Sequence, residues 1–299
     1  MNPNRYPTRP HRRPAAGVLA VVLALVLGLT AAAIAWSAPH ADASAAGDVF
    51  YLSLGDSLAQ GAQPIGGPGS LTGEVGYNHG YADELFKTAR DGHSGTLRLV
   101  KLGCGGETTT SLITGGDCRY PAGSQLAAAV EFLDDHSGQI AFVTIDVGAN
   151  DIFACGGDPT CFVPQIEHNL PIILSTLRAH AGPDVPIVGM SYYSPDNVAW
   201  FDNPVVGEIV AANTARFNDR LERLYSSNSA LVADVEGAFA VTDFATLVNL
   251  PGVGPVPLSV YNTCTLTWVC TPPPLGPDIH ANTDGYQRIA GAFAATLDL

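Results

Sequence analysis

Apolar residues along this 299-residue chain fall into two alternating rhythms. Short, nearly unbroken runs at 49–54, 97–102, 140–147, 187–191 and 231–234 predict strands buried on both faces. Between and after them, the stretches 81–90, 125–134, 163–179, 206–225 and 284–297 predict amphipathic helices. In 125–134, Leu126, Val130 and Leu133 recur at i, i+4 and i+7, the spacing of one buried helical face. Strands alternating with helices imply right-handed crossovers and a parallel sheet covered on both sides. The expected fold is therefore α/β, a three-layer α/β/α sandwich with about five parallel strands. Residues 244–277 follow neither rhythm; rich in Pro and Leu, they read as a long ordered loop.

The N-terminal segment has a different pattern. Arg5, Arg9, Arg12 and Arg13 precede an uncharged apolar run at 15–36, and Ala41-Asp42-Ala43 has the small-x-small form of a signal peptidase site. The expected organisation is a signal peptide at 1–43 and a single domain at 44–299, with no repeat or linker dividing the latter. The apolar run is also long enough to span a bilayer, so an uncleaved anchor, associated with membrane or cell envelope, is the alternative. Both place the domain outside the cytoplasm.

Charge narrows the partners. Loss of 1–43 removes four arginines and one aspartate, moving the formal charge from −14 to −17 and leaving Lys87 and Lys101 as lysines. Such a surface repels phosphate backbones, which excludes nucleic acid; a monomer acting on a small-molecule or lipid substrate is expected.

Cys104, Cys118, Cys155, Cys161, Cys264 and Cys270 all lie in the exported part, and an even count there argues for disulfides. Sequential pairing is expected, because each such pair flanks a short loop containing Gly, Thr or Pro. With no Cys-x-x-Cys and scattered histidines, neither a metal nor another cofactor is expected.

Three motifs each follow a predicted strand: Gly55-Asp56-Ser57-Leu58, then Gly103-Cys104-Gly105-Gly106-Glu107-Thr108, then Gly148-Ala149-Asn150-Asp151. In a parallel sheet these sites share the carboxyl edge, so they can converge. A fourth element, Asp278-Ile279-His280, precedes the last helix. Singly, each is explained by a helix cap, a glycine turn or an Asx turn. Together, in this order, they resemble the GDSL, or SGNH, hydrolases. The tetrapeptide at 55–58 is similar to that family's first block, Gly106-Glu107-Thr108 to its second, Gly148-x-Asn150-Asp151 to its third, and His280 with Asn282 and Gly285-Tyr286 to its fifth. The resemblance spans essentially the whole mature chain. It implies a serine ester hydrolase on a flavodoxin-like three-layer sandwich.

The chemistry of these residue types agrees. A serine hydroxyl becomes nucleophilic when a neutral imidazole takes its proton, which casts Ser57 as nucleophile and His280 as base. The oxyanion that follows needs preorganised donors, for which the backbone N–H groups of Ser57 and Gly106 and the Asn150 amide are candidates. One departure from the family concerns the acid. Its usual place three residues before the histidine is Pro277, and Asp278 stands two before. Asp278 can serve if 278–280 is extended, with a backbone carbonyl in 272–277 or Asp284 as rivals. For substrate, a lipase or phospholipase is one expectation, with Leu247, Leu250, Val253, Val256, Leu258 and Trp268 as an acyl groove. A carbohydrate acetyl esterase is another, and a non-catalytic cell-surface binding module is the reading from a different class.

Overall fold

In the computed structural model, the described residues are 47–64, 79–92, 96–116 and 118–299. The targeting segment expected at 1–43 lies outside them. Five parallel strands form one sheet: β1 (Val49–Gly55), β2 (Leu97–Lys101), β3 (Ile140–Asp146), β4 (Ile187–Met190) and β5 (Leu231–Ala233). Their spatial order is β2-β1-β3-β4-β5. β1 is interior, pairing with β2 on one side and β3 on the other, with Leu54 opposite Ile145 and Gly55 opposite Asp146. That position explains its composition: Tyr51, Leu52 and Leu54 are fully buried, as a strand covered on both faces requires. The edge strand β5 is only three residues long, which limits the unpaired edge it offers.

Helices cover both faces. On one side α2 (Tyr81–Gly92) packs on α10 (Thr283–Thr296), with Tyr81 stacked on Phe293 at 4.8 Å between ring centroids. On the other lie α4 (Gln125–Asp135), α6 (Pro159–Ala181) and α7 (Pro204–Ser227). The start of α4 is set by Ser124, whose hydroxyl accepts the Ala127 N–H. Its buried face is Leu126, Ala129 and Leu133, with Val130 only half-buried. Helices α6 and α7 begin earlier than periodicity indicates. Asp158 and Asn203 cap them, and a proline occupies the first position of each, where the missing N–H costs nothing. Short helices at the sheet's carboxyl edge, α1 (Ser57–Gln60), α3 (Thr109–Thr114), α5 (Ala149–Ala154) and α8 (Val235–Ala238), are too brief to show a period.

The expected loop at 244–277 is corrected. It contains an antiparallel hairpin, β6 (Leu247–Leu250) with β7 (Gly254–Pro257), and then α9 (Leu258–Leu266). Pro255 and Pro257 hide β7 from pattern reading, because proline argues against a strand except at an edge, where this two-stranded hairpin places it. In α9, Ser, Thr, Asn, Val and Tyr predominate over strong helix formers. Its tertiary packing stabilises it: Val260 and Leu266 are buried, and the buried Asn262 amide donates to the Phe239 carbonyl.

Candidate active site

The site is built where β1 ends. Gly55 has φ +133°, and a Cβ there would collide with the Asp146 carbonyl oxygen, so no other residue fits the turn without moving β3. Asp56 then caps α1, its carboxylate accepting the Leu58 N–H at 2.9 Å. Ser57 becomes the first helical residue, half-buried at the carboxyl edge of the sheet. Among the described residues its hydroxyl has no hydrogen-bond partner, and neither does its backbone N–H.

The loop after β2 is docked onto α1. A Cβ on Gly103 would sit 2.6 Å from the Ala59 Cβ, and Gln60 Oε1 accepts the Gly105 N–H at 3.1 Å. The Cys104 N–H donates to the Gly55 carbonyl at 3.0 Å. Gly106 has φ +83° and, among the described residues, its N–H has no acceptor. The next residue, Glu107, is buried and accepts from the Ser111 hydroxyl and from Gln125 Nε2. Gln125 also holds both backbone groups of Gly55, donating to its carbonyl and accepting its N–H at 2.7 Å. One buried amide therefore locks the first two motifs together.

The third motif enters through Gly148, φ +124°, which opens α5. Asn150 Nδ2 donates to the Glu107 carbonyl at 3.1 Å. An amide nitrogen carries two hydrogens, so one remains for a ligand. Asp151 is buried and binds the N–H and hydroxyl of Thr109 at the start of α3, at 2.9 and 2.5 Å. Burial pushes its carboxyl up, partly offset by those two bonds.

His280 is 7 % exposed, and its Nδ1 lies 2.8 Å from Asp278 Oδ1, which also accepts the His280 backbone N–H at 2.9 Å. Partial burial pushes the Asp278 carboxyl up, but the two hydrogen bonds and the ring's charge outweigh it and hold it below the usual carboxylate range. An ionised carboxylate only accepts, which assigns the proton to Nδ1 and leaves Nε2 as the basic nitrogen. Asp284 instead occupies the first turn of α10, behind an Asn282 cap. The segment that holds 278–281 is the one read as a loop. Thr267 bridges Ala281, the Trp268 N–H donates to the His280 carbonyl, and the Asp278 N–H donates to the Trp268 carbonyl.

Ser57, Asn150 and His280 line one cleft of about 580 Å³. Gly106 stands in the adjoining loop and not on the cleft wall. Nor do Leu247, Leu250, Val253, Val256, Leu258 or Trp268 form that wall, which corrects the expected groove. The apolar lining comes from Ile152 and Phe153 of α5, Phe162 and Val163 of α6, and Val210 and Phe217 of α7. Tyr192 and Tyr193 also border the cleft; their position after β4, at the same edge as the motifs, is the signal that could have found them.

Disulfides join Cys104 to Cys118, Cys155 to Cys161, and Cys264 to Cys270. They lie beside Gly106, at the end of the Asn150 helix, and in the turn leading to Asp278.

Residues 53–288 match the model of the GDSL-like lipase/acylhydrolase family. No curated protein is significantly similar. Among solved structures, the lipase Lip_vut3 from a goat rumen metagenome superposes with a TM-score of 0.52 at 17% identity, over 83% of this chain and 97% of that one. A GDSL-like lipase from Parabacteroides merdae gives 0.50 at 15% identity, over 84% and 96%. The acetylxylan esterase Axe2 from Geobacillus stearothermophilus gives 0.47 at 17%, over 85% and 96%. At these identities the likeness concerns the fold alone.

Proposed function

The chain belongs to the GDSL-like lipase/acylhydrolase family, and on that premise we propose an exported serine esterase that cleaves esters of apolar acyl chains through an acyl-enzyme on Ser57. The observation that carries this reading is the meeting of Ser57, Asn150 and His280 in one cleft, with Asp278 on the far nitrogen of the imidazole. Ser57 Oγ attacks the ester carbonyl as His280 Nε2 takes its proton. The bond between the two is often long in a free enzyme and closes with substrate in place. The free N–H of Ser57, that of Gly106 and the second hydrogen of Asn150 Nδ2 receive the oxyanion, and Asp278 stabilises the imidazolium. His280 then protonates the departing alcohol, and water repeats the sequence to release the acid. Export fits three disulfides in a chain with a net charge of −14.

The decisive experiment is stoichiometric labelling with an alkyl phosphonate followed by peptide mapping. Labelling of Ser57 is expected; labelling elsewhere, or none, removes the nucleophile and with it the reading.

The apolar wall of α5, α6 and α7 is the basis for the substrate class. Each methylene buried there contributes about 0.8 kcal/mol, or about fourfold in kcat/KM. With p-nitrophenyl esters, kcat/KM should climb from acetyl to at least hexanoyl. A Val210→Trp substitution should lower the long-to-short ratio by roughly tenfold or more. A wild-type enzyme that prefers acetyl would show that the wall does not take the acyl chain.

A further inference from the structure

Behind the nucleophile lies a buried pair of carboxyl groups that the reaction does not consume. Asp146, the last residue of β3, is fully buried, and Asp56 is 2 % exposed. The Asp56 N–H donates to both the carbonyl (3.1 Å) and the carboxyl Oδ2 (3.3 Å) of Asp146. The Tyr81 hydroxyl donates to Asp146 Oδ1 at 2.6 Å. The Asp146 carboxyl also presses on Gly55: a Cβ there would lie 2.5 Å from Oδ1. Asp56 in turn accepts from the Leu58 N–H and, at 3.3 Å, from the Tyr192 hydroxyl. The contact of the Asp56 N–H with Oδ2 brings the two buried carboxyl groups together. A hydrogen bond between them requires a proton on one, because two ionised carboxylates offer only acceptors. Among the described residues neither forms an ion pair, and two adjacent negative charges without a cation are strongly disfavoured in a buried site.

We infer that Asp146 is a positioning residue for Ser57: its neutral carboxyl donates a hydrogen bond to the Asp56 carboxylate and so fixes the turn from which the serine projects. This rests on the reading of Ser57 as nucleophile. The proton belongs on Asp146 because Asp56, and not Asp146, lines the cleft that holds the His280 imidazole. Burial raises both carboxyls, and repulsion from Asp56 raises Asp146 further, well above the usual range. The other titratable groups facing the pair are Tyr51 of β1, Tyr81 of α2, Tyr192 and Tyr193 after β4, Tyr225 of α7 and Tyr286 of α10. Burial raises every one of them, so all remain neutral and none supplies a compensating charge. Asp56 and Ser57 are consecutive, so a loosened Asp56 carboxylate displaces the nucleophile directly.

The variant that separates this role from simple packing is Asp146→Asn, whose amide can donate to the Asp56 carboxylate and accept from Tyr81, while the Asp56 N–H keeps the backbone carbonyl of position 146 as its acceptor. Asp146→Ala should lower kcat by roughly tenfold or more with KM within about twofold, and Asp146→Asn should restore most of that loss. In infrared spectra at pH 7, the wild type should show a protonated-carboxyl band that disappears in Asp146→Asn. Stability gives a further readout. A carboxyl that binds its proton more tightly folded than unfolded contributes stability that falls as pH rises from the usual carboxylate range toward its raised value. The melting temperature of Asp146→Asn relative to wild type should therefore climb with pH. Absence of the infrared band, or an Asn variant as impaired as the Ala variant, overturns the inference. Should Ala not fold, the band and the pH trend of Asn still decide it. Phosphonate labelling of the wild type reports on Ser57 separately, so failure of the nucleophile and failure of the Asp146 role give different patterns.

Discussion

Ser57→Ala is expected to lower ester hydrolysis at least about 10³-fold while leaving the fold unchanged. The rate loss follows from the acyl-enzyme: without Oγ no covalent intermediate forms. Only the oxyanion donors and substrate binding remain, and in serine proteases that lack a triad member these alone still sustain a residual rate above that in water. The structural tolerance follows from the surroundings. The hydroxyl has no partner among the described residues, the N–H that stays is part of the backbone, and Asp56 caps α1 whatever follows it. The stability change should stay within about 0.5 kcal/mol. Circular dichroism and a melting curve establish folding, and a folded variant with more than about a tenth of the wild-type rate would sink the assignment.

The second large effect is expected from Asp278→Asn. Both the ring Nδ1–H and the backbone N–H of His280 donate to the same atom, Asp278 Oδ1. Asparagine can keep an oxygen in that place, but not the negative charge that stabilises the imidazolium, and its amide can present a donor that selects the wrong tautomer. A fall in kcat of at least about 10²-fold is expected, with a smaller effect on substrate binding. A loss below about tenfold would mean that a backbone carbonyl orients the ring. Because the Asp278 carboxyl is held below its ordinary value, its contribution to stability is present above about pH 4 and is lost as pH falls through the lower, folded value. The stability deficit of Asp278→Asn should therefore shrink on acidification.

Legibility of this site in the sequence depended on what each residue owes to its neighbours along the chain. Ser57, the Gly106 loop and Asn150 could be placed because each sits just past a buried strand, and strand plus glycine is a local signal. Asp278 could be placed next to His280 because two residues in an extended segment project to one side, whatever the rest of the fold does. The cleft wall could not. Phe162, Val210 and Phe217 belong to two long helices whose pattern shows only that one side is buried. Which helices border Ser57 is set by the strand order β2-β1-β3-β4-β5, and that order is a property of the tertiary fold. The same holds for Asp146 and Gln125. A polar residue at a strand end and another at a helix start look ordinary until β3 and α4 are both laid against β1. Residues 244–277 failed for a different reason: their structure is held by contacts with His280, Ala281 and Phe239 more than by local propensity.

The three disulfides have a bearing on how the chain reaches this state. Their partners are separated by 14, 6 and 6 residues, so each ring closes within one short stretch of polypeptide. Short loops carry a small closure entropy, and six thiols that could combine in fifteen ways are therefore biased toward their neighbours before any sheet exists. A chain that meets oxidant before it folds can thus close its cysteines in the native arrangement early. The ring from Cys155 to Cys161, which carries Gly157 and Pro159 of the cleft wall, can then reach the assembling sheet already closed.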